Sequence, residues 1–175
     1  HALDRRQRQM CIRDRPNAGK SSLLASMTSA TPKIANYKFT TLNPNLGVAV
    51  YDDKEITLAD IPGLIEGAHS GVGLGIKFLK HIERCKTLLH LIDINEEDLV
   101  SSYKQVRNEL KSYGKELIKK KEIIVFNKID LLQKNNIDKK VKDFEIKIKK
   151  KTFKMSTIQS KSVSNIKSKL INYVS

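Results

Sequence analysis

Ile123-Ile124-Val125-Phe126-Asn127-Lys128-Ile129-Asp130 is the stretch on which the reading of this chain turns. Four consecutive apolar residues closed by a polar turn read as a buried strand of a parallel sheet. The turn at the carboxyl end of such a strand is where open α/β sheets bind ligands. Asp130 carries the chemistry. An ionised carboxylate only accepts hydrogen bonds, and the guanine ring offers a matched pair of donors in N1–H and the exocyclic amine. Adenine presents an acceptor at N1, and a site built on this pairing rejects it by orders of magnitude. Lys128 would lay its methylene stem along the base.

Three further elements lie in order along the chain. Pro16-Asn17-Ala18-Gly19-Lys20-Ser21-Ser22 ends like a phosphate-binding loop, whose pattern is Gly, four residues, then Gly-Lys-Ser/Thr. Gly19 lets backbone N–H groups approach phosphate, and the following helix offers its positive end. Lys20 would reach the β- and γ-phosphate oxygens, and Ser21 would bind Mg²⁺. Asp14 stands where the first Gly belongs, a repulsive neighbour for a triphosphate. Asp60-Ile61-Pro62-Gly63 follows an apolar strand; Asp60 would hold Mg²⁺ through water and the Gly63 amide would sense the γ-phosphate. Ser156 and Thr157 stand where a short loop closes over the base. Thr157 departs from the usual Ala, and a strand ending in a polar turn is the alternative reading of that stretch.

The rest of the chain from Pro16 alternates short apolar runs with amphipathic stretches, the pattern of an α/β domain. Strands are predicted over Leu46–Tyr51, Glu55–Ala59, Thr87–Asp93, Glu122–Asn127 and Thr152–Met155. Helices are predicted to start at Lys20 and near Gly75, Glu97 and Ser162, with Ser162 or Ser164 capping the last. Leu99, Tyr103, Val106, Leu110 and Tyr113 form one sheet-facing stripe, and Val163, Ile166, Leu170 and Val174 another. The expected architecture is a P-loop NTPase of the TRAFAC G-domain type, a mostly parallel sheet with helices on both faces. His81, His90 and Cys85 need only packing explanations, and His69 reads as a polar loop residue.

The 175 residues fit one domain, and no eighteen-residue apolar run suggests a membrane span. Cys11 and Cys85 make neither metal-ligand spacing nor a disulfide framework, which suits a reducing cytoplasm. The net charge of +14 has two readings, a field for anionic partners or a lysine-rich coding bias. The runs Lys119–Lys121 and Lys149–Lys151 read as solvated loop faces.

Residues 1–15 fit none of this. Arg5 to Asp14 read as the in-frame translation of CGT CGG CAG CGT CAG ATG TGT ATA AGA GAC, part of a transposase-based sequencing-library adapter. The segment is therefore expected to be a technical scar, with 16–175 a G domain lacking its first strand, although Gln9–Arg13 could be drawn into the place left open. Without it the charge is +11, because five Arg and two Asp leave with it.

Between the phosphate loop and the base motif, two stretches carry a resemblance. Tyr37-Lys38-Phe39-Thr40-Thr41-Leu42-Asn43-Pro44-Asn45-Leu46-Gly47 and Gly63-Leu64-Ile65-Glu66-Gly67-Ala68-His69-Ser70-Gly71-Val72-Gly73-Leu74-Gly75 resemble switches I and II of the bacterial Obg GTPases. The resemblance runs from Pro16 to the C-terminus. It implies GTP and GDP as ligands, with Asn17, Ala18, Gly19, Lys20, Ser21, Ser22, Phe39, Thr40, Thr41, Asp60, Gly63, Asn127, Lys128, Asp130, Ser156 and Thr157 around them. Ser21, Thr41 and Asp60 would serve Mg²⁺, and Lys20, Thr41 and Gly63 the reaction. Asn17 matches an Asn that binds activating K⁺ in some relatives. Leu64 replaces the Gln that orients water in many GTPases, so slow intrinsic hydrolysis is expected. The family also implies a monomeric, cytoplasmic parent that meets the large ribosomal subunit and rRNA through a domain absent here. The expected function is a slow GTPase switch in large-subunit assembly. The alternatives are a nucleotide-sensing module with incidental turnover, or an inactive fragment.

Overall fold

The computed structural model describes residues 9–13, 19–28, 33–34, 45–51, 54–60, 85, 87–113 and 115–174. A seven-stranded sheet runs through them. Its strands are β1 (Gln9–Arg13), β2 (Lys33–Ile34), β3 (Asn45–Tyr51), β4 (Lys54–Asp60), β5 (Thr87–Asp93), β6 (Lys121–Asn127) and β7 (Thr152–Lys154). The spatial order is β2-β3-β4-β1-β5-β6-β7. From β4 across to β7 every pairing is parallel, while β2–β3 and β3–β4 are antiparallel. The helices are α1 (Lys20–Met27), α2 (Leu99–Tyr113), α3 (Lys115–Ile118), α4 (Lys134–Ile148) and α5 (Ser160–Val174).

Each face of the sheet has its own core. On one, Leu23, Leu24 and Met27 of α1 and Val163, Ile166, Leu170 and Ile171 of α5 bury Ile12, Ile56, Leu58, Leu89, Leu91, Ile123 and Val125. On the other, Leu99 and Tyr103 of α2 and Ile137, Val141 and Phe144 of α4 cover Ile92, Ile124 and Phe126. Residues that alternate along a strand point to opposite faces. With helices on both sides, the interior strands are therefore apolar almost throughout.

The predicted strands hold to within a residue or so, and α1 starts at Lys20 as expected. The helix expected near Gly75 lies outside the described residues. Beside the two-residue β2 and the single-turn α3, which carry no signal in the sequence reading, three points differ. First, the place of the missing first strand is filled: β1 lies between β4 and β5, with Met10 and Ile12 fully buried. Second, α4 was not predicted, although Ile137, Val141, Phe144 and Ile148 recur at helical spacing. The seven Lys and Asp residues of this helix mask the stripe in a composition-based reading. Third, Cys85 is disulfide-bonded, where no disulfide framework was expected.

Lys149 to Lys151 are exposed as expected, but His90 and Lys150 do more than their readings assign. They belong to a charged cluster built on Glu122, whose side chain is 2% exposed. The Tyr103 hydroxyl donates to it at 2.8 Å and the Lys150 ammonium at 2.5 Å. His90 Nδ1 lies 3.3 Å from its other oxygen and Arg107 Nη1 3.7 Å away. The His90 ring stacks on Tyr103 at 5.2 Å. Burial alone would raise the Glu122 carboxyl, but hydrogen bonds from His90 and Lys150, with the charges of His90 and Arg107, lower it from 4.5 to about 2. A depressed carboxyl stabilises the fold above its unfolded value and ceases to do so as pH falls through the folded one. That difference corresponds to stabilisation on the order of 3 kcal/mol. Glu122→Gln is therefore expected to lower stability at neutral pH by about that amount, since it removes the buried negative charge that His90, Lys150 and Arg107 face. Urea titrations should show this deficit shrinking as pH is lowered from about 5 to about 2; a deficit constant across that range contradicts the assignment.

Candidate nucleotide site

The parallel strands bring their carboxyl ends to one edge. Arg13 of β1, Asp60 of β4, Asp93 of β5 and Asn127 of β6 all end there, with Ile12 paired to Asp60 and Asp93 to Asn127. The segment between β1 and Gly19 lies outside the described residues. Beyond it α1 begins directly at Lys20. Gly19 sits at its N-terminus with φ 93°, a left-handed conformation that costs a Cβ-bearing residue roughly 1–2 kcal/mol. A Cβ there would also lie 2.6 Å from Asn127 Nδ2. Glycine is thus required twice, by the backbone and by the approach of the base motif. The first turn of α1 directs amide donors and the positive end of the helix dipole to this edge, a setting for phosphate. Ser21 and Ser22 are exposed within that turn.

The base motif is braced from three sides. Asn127 is fully buried, and its side-chain oxygen accepts the Thr157 amide at 3.2 Å. Its carbonyl accepts the Ile94 amide. Lys128 turns the chain in the left-handed region, φ 63°, a strained state for a residue with a Cβ and one that concentrates at functional sites. Its ammonium meets Asp93 Oδ2 at 2.7 Å. Burial would raise the Asp93 carboxyl, but Lys128 and both amides of Asn95 hold it below its usual range. Asp130 is exposed, and one of its oxygens accepts the hydroxyl of the fully buried Ser156. The Ser156 amide in turn donates to Ser162 Oγ at 3.0 Å. Ser162 thus orders the loop before α5 and does not cap the helix, which starts at Ser160.

The structure therefore gathers Gly19, Lys20, Asn127, Lys128, Asp130, Ser156 and Thr157 at one edge, and Asp60 ends a strand on the same edge. Asn17, Ala18, Phe39, Thr40, Thr41, Gly63 and Leu64 lie outside the described residues. Sequence reasoning missed Asp93, although it closes a predicted strand beside Asn127. It gave Ser162 a different role. Arranged this way, a helix N-terminus and an exposed carboxylate lie at the same edge of the sheet.

Residues 9–128, more than half of the chain, match the family model described as 50S ribosome-binding GTPase. The chain is 69% identical over 160 residues to the GTPase Obg of Pelagibacter ubique, covering 91% of this chain and 49% of that protein. It is 56% identical over 159 residues to GTPase Obg of Ehrlichia chaffeensis, covering 91% and 46%. It thus spans about half the length of these curated relatives. Among solved structures, the G domain of the Thermotoga maritima FeoB iron transporter superposes with a TM-score of 0.67 at 20% identity, covering 95% of this chain and 98% of that one. A single-residue variant of Aquifex aeolicus Era bound to GDP.AlF4- gives 0.68 at 24%, covering 95% and 55%. These two likenesses concern the fold alone. With the sheet, the phosphate-loop helix and the braced base motif in place, the chain belongs to the 50S ribosome-binding GTPase family and resembles its Obg members.

Proposed function

We propose that this chain binds GTP and GDP in preference to adenine nucleotides and hydrolyses GTP slowly, as the switch domain of a protein acting in large-ribosomal-subunit assembly. The observation that carries the base preference is the Asp130 carboxylate, held beside the site by Ser156 while Asn127 ties in Thr157. Lys20 and the α1 amides would hold the phosphates. In hydrolysis water bonds to the γ-phosphorus as the bond to the bridging oxygen breaks, and fixed positive groups stabilise the charge that develops. Ser21 and Asp60 are hard oxygen donors suited to Mg²⁺, which supplies further charge neutralisation when bound. Thr41, from the switch I segment, completes that set in this reading, and Asn17 would take K⁺.

The ribosomal part rests on the family description and on the names of the Obg relatives. Among the described residues no helix is long and apolar enough to cross a membrane; a cytoplasmic, monomeric parent is part of the proposal. Leu64 in place of a water-orienting Gln favours turnover that depends on a partner. Steady-state hydrolysis is expected to rise when 50S subunits and K⁺ are added. An unchanged rate would favour the sensing-module reading.

Asp130→Asn replaces an acceptor pair by one acceptor and one donor. Competition against fluorescent GDP should show GTP affinity falling on the order of a hundredfold. If the parent chain binds ATP as well as GTP, the base assignment is wrong.

We also propose that residues 1–15 derive from the adapter. The Pelagibacter alignment spans 160 of the 175 residues, leaving a length equal to that segment, although the family match begins at residue 9. Sequencing source DNA across the Pro16 codon should reveal an apolar strand ending in Gly at position 14. Genomic codons for Arg5 to Asp14 would refute the scar.

A further inference from the structure

Formal charge is segregated along this chain. Residues 16–114 hold eleven Lys and Arg against eleven Asp and Glu, whereas residues 115–175 hold 17 Lys against six acidic residues. A coding bias acts on a whole gene and would charge both parts; an excess confined to one part belongs to a surface.

Seven of those 17 lysines, with four of the six acidic residues, meet at the end of the sheet opposite the nucleotide edge. Lys119 and Lys120 lead into β6 and Lys149 to Lys151 into β7, and the parallel pairing of Ile124 with Thr152 sets the two turns side by side. Three of these cations hold the end together. Lys120 donates to the Cys85 carbonyl, Lys121 to the Tyr173 carbonyl at 3.0 Å, and Lys150 to Glu122. Lys119, Lys147, Lys149 and Lys151 are exposed around them. The Lys119–Glu116 pair is exposed on both sides, so it leaves the ammonium largely available to other anions. Of the other carboxylates here, Glu122 is neutralised in its cluster, Glu145 accepts the Thr152 amide and hydroxyl, and Asp143 lies one turn from Lys147.

We propose that this lysine-rich end docks the phosphate backbone of RNA. The proposal deepens the ribosomal part of the function above and rests on it for the identity of the RNA. No Arg occurs in residues 115–175. Lysines act as point charges on phosphate and lack the fork that reads a guanine edge, so the contact would position RNA without selecting sequence. A lipid surface fits less well. Among the described residues here, exposed Ile146 has no large exposed apolar companion except Tyr173, whose ring is covered by the Lys121 ammonium at 3.7 Å. The seven residues of β6 separate this end from the base motif by about 20 Å, leaving the nucleotide edge open while RNA is bound.

The test compares two variants of equal charge in the full chain. One carries Lys119→Gln, Lys147→Gln, Lys149→Gln and Lys151→Gln; the control carries Lys104→Gln, Lys134→Gln, Lys139→Gln and Lys161→Gln, all exposed and away from this end. Affinity for a fluorescent RNA hairpin is measured against salt, beside binding to vesicles containing anionic lipid and to fluorescent GDP. The first variant should lose about tenfold or more in RNA affinity, with a salt slope shallower by up to about 3, while the control changes little. GDP affinity should be unchanged in both, which also reports folding. Should the first variant lose GDP binding, the pair Lys119→Gln and Lys151→Gln is used and should show about half the slope change. Equal losses in the two variants overturn the proposal, as does loss of vesicle binding with RNA binding intact. A parent chain that binds RNA but does not prefer GTP to ATP would sink the nucleotide reading and spare this one.

Discussion

The parallel pairing of β5 with β6 fixes both ends of the molecule. Its register runs without a break from Thr87 opposite Lys121 to Asp93 opposite Asn127. At the carboxyl end this puts the Asp93 carboxylate within reach of the Lys128 ammonium and lets the Ile94 amide bind the Asn127 carbonyl. Toward the amino end the same register brings His90 beside Glu122. A slip of one residue would move every side chain of β6 to the opposite face, burying Lys121 and turning Glu122 away from its cations. The braced turn from Asn127 to Asp130 and the buried charge cluster are thus two outcomes of one alignment.

The two helical layers have different electrostatic tasks. The face covered by α1 and α5 is a continuous apolar core. The face covered by α2 and α4 is apolar toward Phe126, where Phe144 meets it edge-on at 5.0 Å, and ionic toward Glu122. An ion pair in that position adds little net stability over a hydrophobic pair of equal volume, but removing one partner is costly because it strands a buried charge. The Tyr103 ring bridges the two regions, packing edge-on against Phe144 and donating its hydroxyl to Glu122.

Much of this was legible in the sequence, and the illegible parts share a cause. The apolar runs of β5 and β6 declare buried strands because burial on both faces needs unbroken apolar residues. Asp130 points to a ligand because a carboxylate's acceptors match the paired donors of one base. The Glu122 cluster declares nothing, since each member looks like an ordinary surface or packing residue until β5, β6, α2 and the Lys150 turn converge. Helix α4 stayed hidden because its buried face is narrow and its remaining positions are mostly polar, lysine above all. Strand β1 is only weakly declared because Met10-Cys11-Ile12 is a short apolar island between polar and charged residues, and a neighbour on each side is what makes it a strand. Thr41 and Gly63, read from motif order, fall outside the described residues and stand on sequence alone.

The contact between Gly19 and Asn127 joins positions more than a hundred residues apart, and Thr157 enters the same knot from the far side of α4. No contiguous piece of chain much shorter than the domain contains all three. A nucleotide held there would engage only the assembled fold, so its binding energy adds in full to the folding equilibrium and grows with the logarithm of ligand concentration. In the proposed role, the melting temperature of such a domain would then be a gauge of nucleotide supply.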